Sequence, residues 1–549
     1  MSNYLTPDVY TEEIPLLPPS VAGVSTAVPA FIGYTEKTLK SSDDESIRPI
    51  RISTLLEYKE IFGKAQSASF VVDVENKNVI KGVKVTPPQS TLYHALDLYF
   101  KNGGGECYII SVGTYDDYSD ATAKDSFLDG LKALAKEDEP TLVMLGEAAK
   151  LPADDYHEIC TEALKQCNEL KDRFCVFDTK KDDIDGSSFR NGIGINNLKY
   201  GAAYTPYIQT SLSYKYDDSD VIVKQLTSSE DSAFEVEYQG IRITYSGDNA
   251  TSPKFRVNGG TGTTVEITIS TNNLLSIKNV PDTGIDVNRI LEAWALISDK
   301  KGFDIVAFDE SGIVSQTSSP SSQDLIKNGQ SENLKSYKED QSALYNKIVN
   351  QLAKEKMILP PSSAIAGVYA TIDRERGVWK APANVSLNAV NGPIVKITSS
   401  DQEKLNVDTT AGKSINAIRS FVGKGTLVWG ARTLAGNDNE WRYVSVRRLF
   451  NMIEESTKKA SYFAVFEPND PSTWLKVKAM IESFLYGIWQ QGGLAGSTDE
   501  QAYFVNVGLG KTMTQQDVLE GRMIIEIGIA ATRPAEFIIL KFSHKLQEV

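Results

Sequence analysis

Between residues 27 and 207 short apolar runs alternate with stretches of helical period, and no other feature limits the fold so tightly. Residues 27–33 (AVPAFIG) read as a buried strand. Residues 53–63 read as a capped helix closed by Gly63, and residues 91–100 as a helix with Leu92, Ala95, Leu96 and Tyr99 on one face. Strands follow at 107–112, 141–145, 173–178 and 201–207, with a helix over 155–171. Such repetition predicts a largely parallel sheet covered by helices. Gly103-Gly104-Gly105 follows a helix and precedes a strand, which is the wrong polarity for a phosphate cradle and suits a helix stop.

The alternation breaks near residue 211. Residues 234–238 and 241–245 alternate about Gln239-Gly240, and 265–269 alternate again before a helix over 286–300. Polar Gly/Asn/Ser/Thr links surround these pieces, so residues 211–345 read as a β-rich insert. The α/β pattern resumes over 346–409, which assigns 23–210 and 346–409 to one interrupted domain. Residues 410–530 read as a third, α+β unit. Within it, Asp438 or Asn439 is the expected cap of a helix carrying Val446, Leu449, Phe450 and Ile453. Asp470-Pro471 opens a second helix with a seam of Trp474, Val477, Ile481, Phe484, Leu485 and Ile488. Strands are expected at 503–507 and 523–530. The predicted class is a multidomain α/β and α+β protein.

The two ends differ from these bodies. Residues 1–22 are punctuated by Pro7, Pro15, Pro18 and Pro19, and read as an extended arm containing Val9, Tyr10, Thr11 and Ile14. Residues 531–549 alternate with period two. Ile538, Leu540, Phe542 and Leu546 share one face, and Lys541, Ser543 and Lys545 the other. A strand with an apolar face and no returning partner either closes its own sheet or completes a neighbour's. Burying each of the four apolar residues contributes about 1.5–3 kcal/mol. Ordering the backbone costs roughly 1–2 kcal/mol per residue. Over a dozen-residue arm the two sums nearly cancel or the cost wins, so the arms are expected to order only on assembly, where many junctions act together.

Signals for chemistry are sparse. The net charge of −15 argues against broad nucleic-acid binding. Four cysteines among 549 residues suit a reducing compartment, and the opening residues lack a secretory pattern, so folding in a cytoplasm is expected. No apolar run reaches membrane-span length, so no direct membrane insertion is expected. Cys160 and Cys167, seven apart on a helix without a histidine, read as core residues. The three histidines, His94, His157 and His544, belong to no recognisable catalytic motif. Gly510-Lys511-Thr512 has Val505 where a phosphate loop needs glycine, so a turn is expected. Asp182, Asp183 and Asp185 before Gly186 lack calcium-loop spacing. Arg447-Arg448 reads as the polar face of a helix. No catalytic residue, cofactor or metal is expected. A hydrolase on an α/β scaffold is the alternative of a different class.

Several ordered stretches carry a family likeness: 423–434 (GKGTLVWGARTL), 441–454 (WRYVSVRRLFNMIE), 466–469 (FEPN), 528–537 (GIAATRPAEF), 360–379 (PPSSAIAGVYATIDRERGVW) and 7–13 (PDVYTEE). In these the chain resembles the tail-sheath family of contractile phage tails and contractile injection systems. Asp8 departs from the family's commoner Pro-Gly start, and the insert lies outside the likeness. The resemblance implies a subtilisin-like α/β domain, an outer insert and a tube-facing C-terminal domain. It also implies N- and C-terminal arms that add strands to neighbouring copies. It implies six-subunit rings stacked around an inner tube protein, with baseplate and terminal cap proteins as further partners. Assembly in a bacterial cytoplasm would precede work as a phage tail-like particle, an injection system being favoured over a phage tail. Lys476 and Lys478 are candidates to meet an acidic tube.

Overall fold

The computed structural model describes residues 21–540 except 40–45, 76–78, 120, 227–233, 248–252, 261–263, 271, 282, 308–311, 316–322 and 328–330. Val9, Tyr10, Thr11, Ile14, Phe542, His544 and Leu546 therefore lie outside the described residues. Two compact units emerge. One comprises residues 1–66, 88–213 and 356–549, and the other 67–87 and 214–355.

The first unit is built on a nine-stranded sheet among the described residues. Its order is Ile50–Ile52, Cys107–Thr114, Pro29–Thr35, Leu142–Met144, Phe174–Asp178, Gly201–Thr205, Ile415–Phe421, Gly425–Val428 and Val385–Ser386. Pairing is parallel from Cys107–Thr114 through Ile415–Phe421 and antiparallel at both margins. Successive side chains of Pro29–Thr35 serve opposite faces, as the pleat demands. Phe31 meets Tyr99 of helix Leu92–Lys101, with ring centroids 5.3 Å apart. Ile32 and Tyr34 enter a core with Phe127, Leu131, Ile159 and Ala163 of helices Ala123–Leu134 and Ala153–Leu170. Helix Ser362–Arg376 packs beside Leu92–Lys101. Both faces are covered, so the central strands are apolar throughout.

Two sequence boundaries move. Strands Ile415–Phe421 and Gly425–Val428 extend the parallel sheet, although the sequence pattern places them in the 410–530 unit. A strand at a sheet's margin carries no periodicity to say which body it joins. Residues 69–86 form an antiparallel hairpin, Ser69–Glu75 with Val79–Thr86, and Ser69–Glu75 pairs in parallel with Val221–Leu226. That hairpin belongs to the second unit rather than to the α/β domain.

The rest of the first unit packs helices Val444–Ala460 and Pro471–Gln490 against strands Tyr503–Val507 and Ile525–Ile529. Leu449, Ile453, Val477, Ile481, Leu485, Ile488 and Val505 fill its core. The second helix opens as expected, with the Asp470 carboxylate accepting from Ser472 N and Thr473 N at 3.0 Å each. Helix Val444–Ala460 starts later than expected. Asp438 instead turns the preceding loop, accepting from Glu440 N at 2.7 Å and Trp441 N at 3.1 Å.

The second unit holds three four-stranded sheets among the described residues. Phe234–Tyr238 and Ile241–Tyr245 form a hairpin whose Gln239 and Gly240 both take positive φ, 45° and 96°, as a two-residue primed turn requires. Ile243, Phe255, Ile277, Ile290 and Trp294 pack together in one core. Phe70, Val72, Val223, Leu344 and Ile348 pack in another.

Candidate assembly surface

Residues 531–540 leave the C-terminal body as extended chain. Ala531 bridges Leu494, and Thr532 N donates to the Gly493 carbonyl at 3.3 Å. From Pro534 to Leu540 the described chain has no β partner. Phe537, Ile538, Ile539 and Leu540 are 71–80% exposed, four consecutive large apolar residues in water. The strand read over this stretch is therefore unpaired in the subunit as far as Leu540. A run of this kind is a template for pairing with another chain.

The root of this tail is fixed. The Arg432 guanidinium, 5% exposed, forks onto the Glu536 carboxylate, with Nε to Oε1 at 2.9 Å and Nη2 to Oε2 at 2.5 Å. Tyr443 OH and Asn406 Nδ2 donate to the same carboxylate at 3.3 and 3.1 Å. Arg432 Nη1 donates to the Asn406 carbonyl at 3.0 Å. Beyond this point Phe537 and Ile538 line a cleft of 630 Å³ with Trp429, Arg419 and Lys380.

The root of the N-terminal segment is held by the same device. Arg448, 3% exposed, forks onto Asp373, 6% exposed, and donates through Nη2 to the Thr26 carbonyl at 2.9 Å. Thr26 Oγ1 donates to Asp373 Oδ2 at 2.5 Å, and Val24 N donates to Ser456 Oγ at 3.1 Å. The Tyr369 ring lies 4.5 Å from the Arg448 guanidinium, and burial pushes the Tyr369 phenol up. Arg447 is buried as well. It sits 4.3 Å from the Trp441 ring centroid and donates to Asn451 Oδ1 at 2.8 Å.

The Arg447-Arg448 pair is thus not the wet helix face read from the sequence. Helix Val444–Ala460 is buried around most of its circumference, and Arg447, Arg448, Asn451, Ser456 and Thr457 each meet a hydrogen-bond partner there. The sequence carried little signal of this. Ser445, Asn451 and Ser456 beside two arginines look like a solvated stripe until Asp373 and Thr26 are brought in from elsewhere in the chain.

A second feature lies beside the tails. Tyr503–Val507 and Ile525–Ile529 form a two-stranded antiparallel sheet, and among the described residues neither strand has a further sheet neighbour. Such a pair is marginal alone and has two open edges. Nearby, Phe466 is fully exposed with φ of 69°, on a loop tied down by Asn469 Nδ2 donating to the Arg522 carbonyl at 3.1 Å. Of the two lysines singled out, Lys476 is exposed. Lys478 is half-buried and paired with Glu482 at 3.5 Å.

Other motif residues take structural places. Gly103, φ 88°, ends helix Leu92–Lys101, and Gly510-Lys511-Thr512 forms a turn after Tyr503–Val507. Asp183 accepts from Ser188 N and Phe189 N at 3.1 and 2.9 Å, capping helix Ser187–Gly192. His94 and His157 are buried on helices, His157 against the Phe189 ring at 5.8 Å. Among the described residues no cluster of His, Cys, Asp or Glu has metal-binding geometry, and no helix is long and apolar enough to cross a membrane.

Both roots are thus held by buried arginines, and the described part of the C-terminal tail is extended and apolar. Residues 436–545 match the phage tail sheath C-terminal domain family. The tail sheath protein of Vibrio phage KVP40 is 25% identical over 185 residues, which is 34% of this chain and 26% of that protein. That of Enterobacteria phage T4 is 24% identical over 25% of this chain and 20% of the phage protein. These matches span about a quarter of the phage proteins or less. Solved structures align over nearly the whole chain. The sheath of an extracellular contractile injection system, PVC, in its contracted state is 26% identical, with TM-score 0.55 over 99% of both chains. The contracted helical sheath of the anti-feeding prophage AFP is 27% identical, with TM-score 0.55 over 99% of this chain and 100% of that one. The proteins it resembles are sheath components, and that of AFP forms a helical sheath.

Proposed function

We propose that this chain is the sheath subunit of a contractile injection particle. It stacks as six-subunit rings around an inner tube and shortens to drive that tube through a target envelope. Support for an injection particle over a phage tail comes from coverage. The likeness to the PVC and AFP sheaths spans the chain, while that to the phage proteins is partial. The observation that carries the reading is the unpaired apolar tail beside a two-stranded sheet with open edges. On this reading residues 1–22 and 531–549 are strand arms that complete that sheet in neighbouring copies. Ile538 and Leu540 from the described part, and Val9, Tyr10, Thr11, Ile14, Phe542 and Leu546 from outside it, supply the side chains that set register.

The α/β domain is subtilisin-like in this assignment but serves as scaffold. The β-rich insert faces outward, and the domain with helix Pro471–Gln490 faces the tube, Lys476 being better placed than the paired Lys478 to meet an acidic surface. Baseplate and cap proteins terminate the polymer. Assembly takes place in a bacterial cytoplasm, before the particle acts outside or at the surface of the cell. Negative-stain microscopy of the purified chain, with and without an inner tube protein, tests the proposal. Hollow tubes of uniform width are expected. A chain that stays monomeric at every concentration with the tube present refutes it.

A further inference from the structure

The moorings of the two tails are joined to each other. Arg432 and Arg448 hold residues near opposite ends of the chain, yet both belong to one short stretch. Arg432 forms an antiparallel bridge with Tyr443. Thr433 N donates to the Arg442 carbonyl at 2.8 Å, and Val444 N donates to the Ala431 carbonyl at 3.1 Å. Tyr443 itself donates to Glu536, and its next residue opens helix Val444–Ala460, whose first turns carry Arg448. The Arg447 guanidinium against Trp441 packs the returning loop onto that helix.

The geometry points to residues 431–448 as a strut that couples the two tail roots. Glu536 is linked through Arg432 and Tyr443 to the helix start, and from there through Arg448 to Asp373 and Thr26. Charge-assisted forks stand at both ends, and a hydrogen-bonded hairpin and one helical turn lie between. A pull on one tail is passed to the other root along this strut, which is braced on the edge of the parallel sheet where Arg432 N donates to Asn416 Oδ1 at 2.8 Å. The inference rests on the sheath reading, in which neighbouring subunits hold both tails. It adds that one subunit's two arms are mechanically continuous, so a lattice of arms can turn without prying the subunits open.

The test is amide exchange on the unassembled full chain, comparing wild type with Glu536→Gln, Asp373→Asn and the surface control Lys165→Gln. Glu536 is partly exposed, so its variant is expected to fold. The probes are Val24 N and Val28 N at one root, and Ala530 N and Thr532 N at the other, all hydrogen-bonded in the structure. Glu536→Gln should speed exchange about tenfold at 530–532 and severalfold at 24–28, while Lys165→Gln changes neither. Asp373→Asn should show the reciprocal pattern. Exchange that rises only at the root carrying the substitution overturns the strut. If Asp373→Asn does not fold, the N-terminal probes in Glu536→Gln decide alone. Because the measurement is made on subunits, it judges the strut even where no tubes form, and absent tubes count only against the sheath reading.

Discussion

Replacing Leu540 by Asp separates folding from assembly. Leu540 is 73% exposed in the subunit and has no β partner there. A charge at such a position changes the stability of the subunit by no more than about 0.5 kcal/mol. In the proposed sheath the same side chain is covered by a neighbour. Complete burial of a leucine contributes about 1.5–3 kcal/mol, and roughly a quarter of this one is already covered, so assembly should gain about 1–2 kcal/mol from it. Losing that term alone weakens each junction about 5- to 30-fold. The carboxylate adds a desolvation cost of its own. Every subunit that joins carries the defect, so the critical concentration for tubes should rise at least about tenfold.

Pelleting across a concentration series reads the polymer, and urea unfolding of the supernatant reads the subunit. The reasoning predicts an unchanged unfolding midpoint with a large shift in pelleting. Tubes forming at the wild-type concentration would show that the tail is not buried between subunits. A lowered unfolding midpoint would show that Leu540 supports its own body.

Three further outcomes are expected. Arg447→Ala removes a buried guanidinium from Trp441 and leaves Asn451 short of its donor; a destabilisation of about 2–4 kcal/mol, from the space left and the lost hydrogen bond, should appear in urea unfolding followed by tryptophan fluorescence. Asp178 is fully buried, and burial raises its carboxyl pKa to about 7 from an unfolded value near 3.8. The folded chain then keeps a proton that the unfolded chain releases, so this group makes stability fall as pH rises from about 4 to 7 and level off above. Asp178→Asn, which can still accept from Ser362 N, should flatten that slope and stabilise the chain at pH 7.5 by about 4 kcal/mol at most, read from urea midpoints at pH 4.5 and 7.5. Cys107, Cys160, Cys167 and Cys175 are all buried free thiols, and burial pushes three of them up in pKa. A thiol reagent should count none in the native chain and four after unfolding.

The parallel sheet could be read from the sequence because its strands are buried on both faces and leave continuous apolar runs. The helix caps could be read because Thr54 and Asp470 act on the residues next to them. Hairpin 69–86 sits inside the span that the alternation assigns to the α/β domain, and it escapes a sequence reading for the opposite reason. Its strands alternate like any half-buried pair, and its partner Val221–Leu226 lies far along the chain. Local pattern shows that a strand exists but not which sheet it joins. The same limit applied to Ile415–Phe421, whose neighbour is Gly201–Thr205.

The tails and their moorings divide along this line too. Residues 537–540 announce themselves because four apolar residues outside any body are costly unless something covers them, and that cost is written in the sequence itself. The arginines do not, because an arginine's role is set by which carboxylate reaches it. Arg432 needs Glu536, and Arg448 needs Asp373; neither separation has a period to detect. Once those partners are known, their placement has a mechanical sense. An arm that orders only on assembly gains little if its root is free to swing, since the swinging root adds the entropy of more residues to each junction. On the proposed arm pairing, holding Glu536 and Thr26 on buried guanidinium groups spares each junction the entropy of ordering those two roots. The moorings would thereby lower the cost of the proposed junction, to which burial of the apolar tail contributes the favourable part.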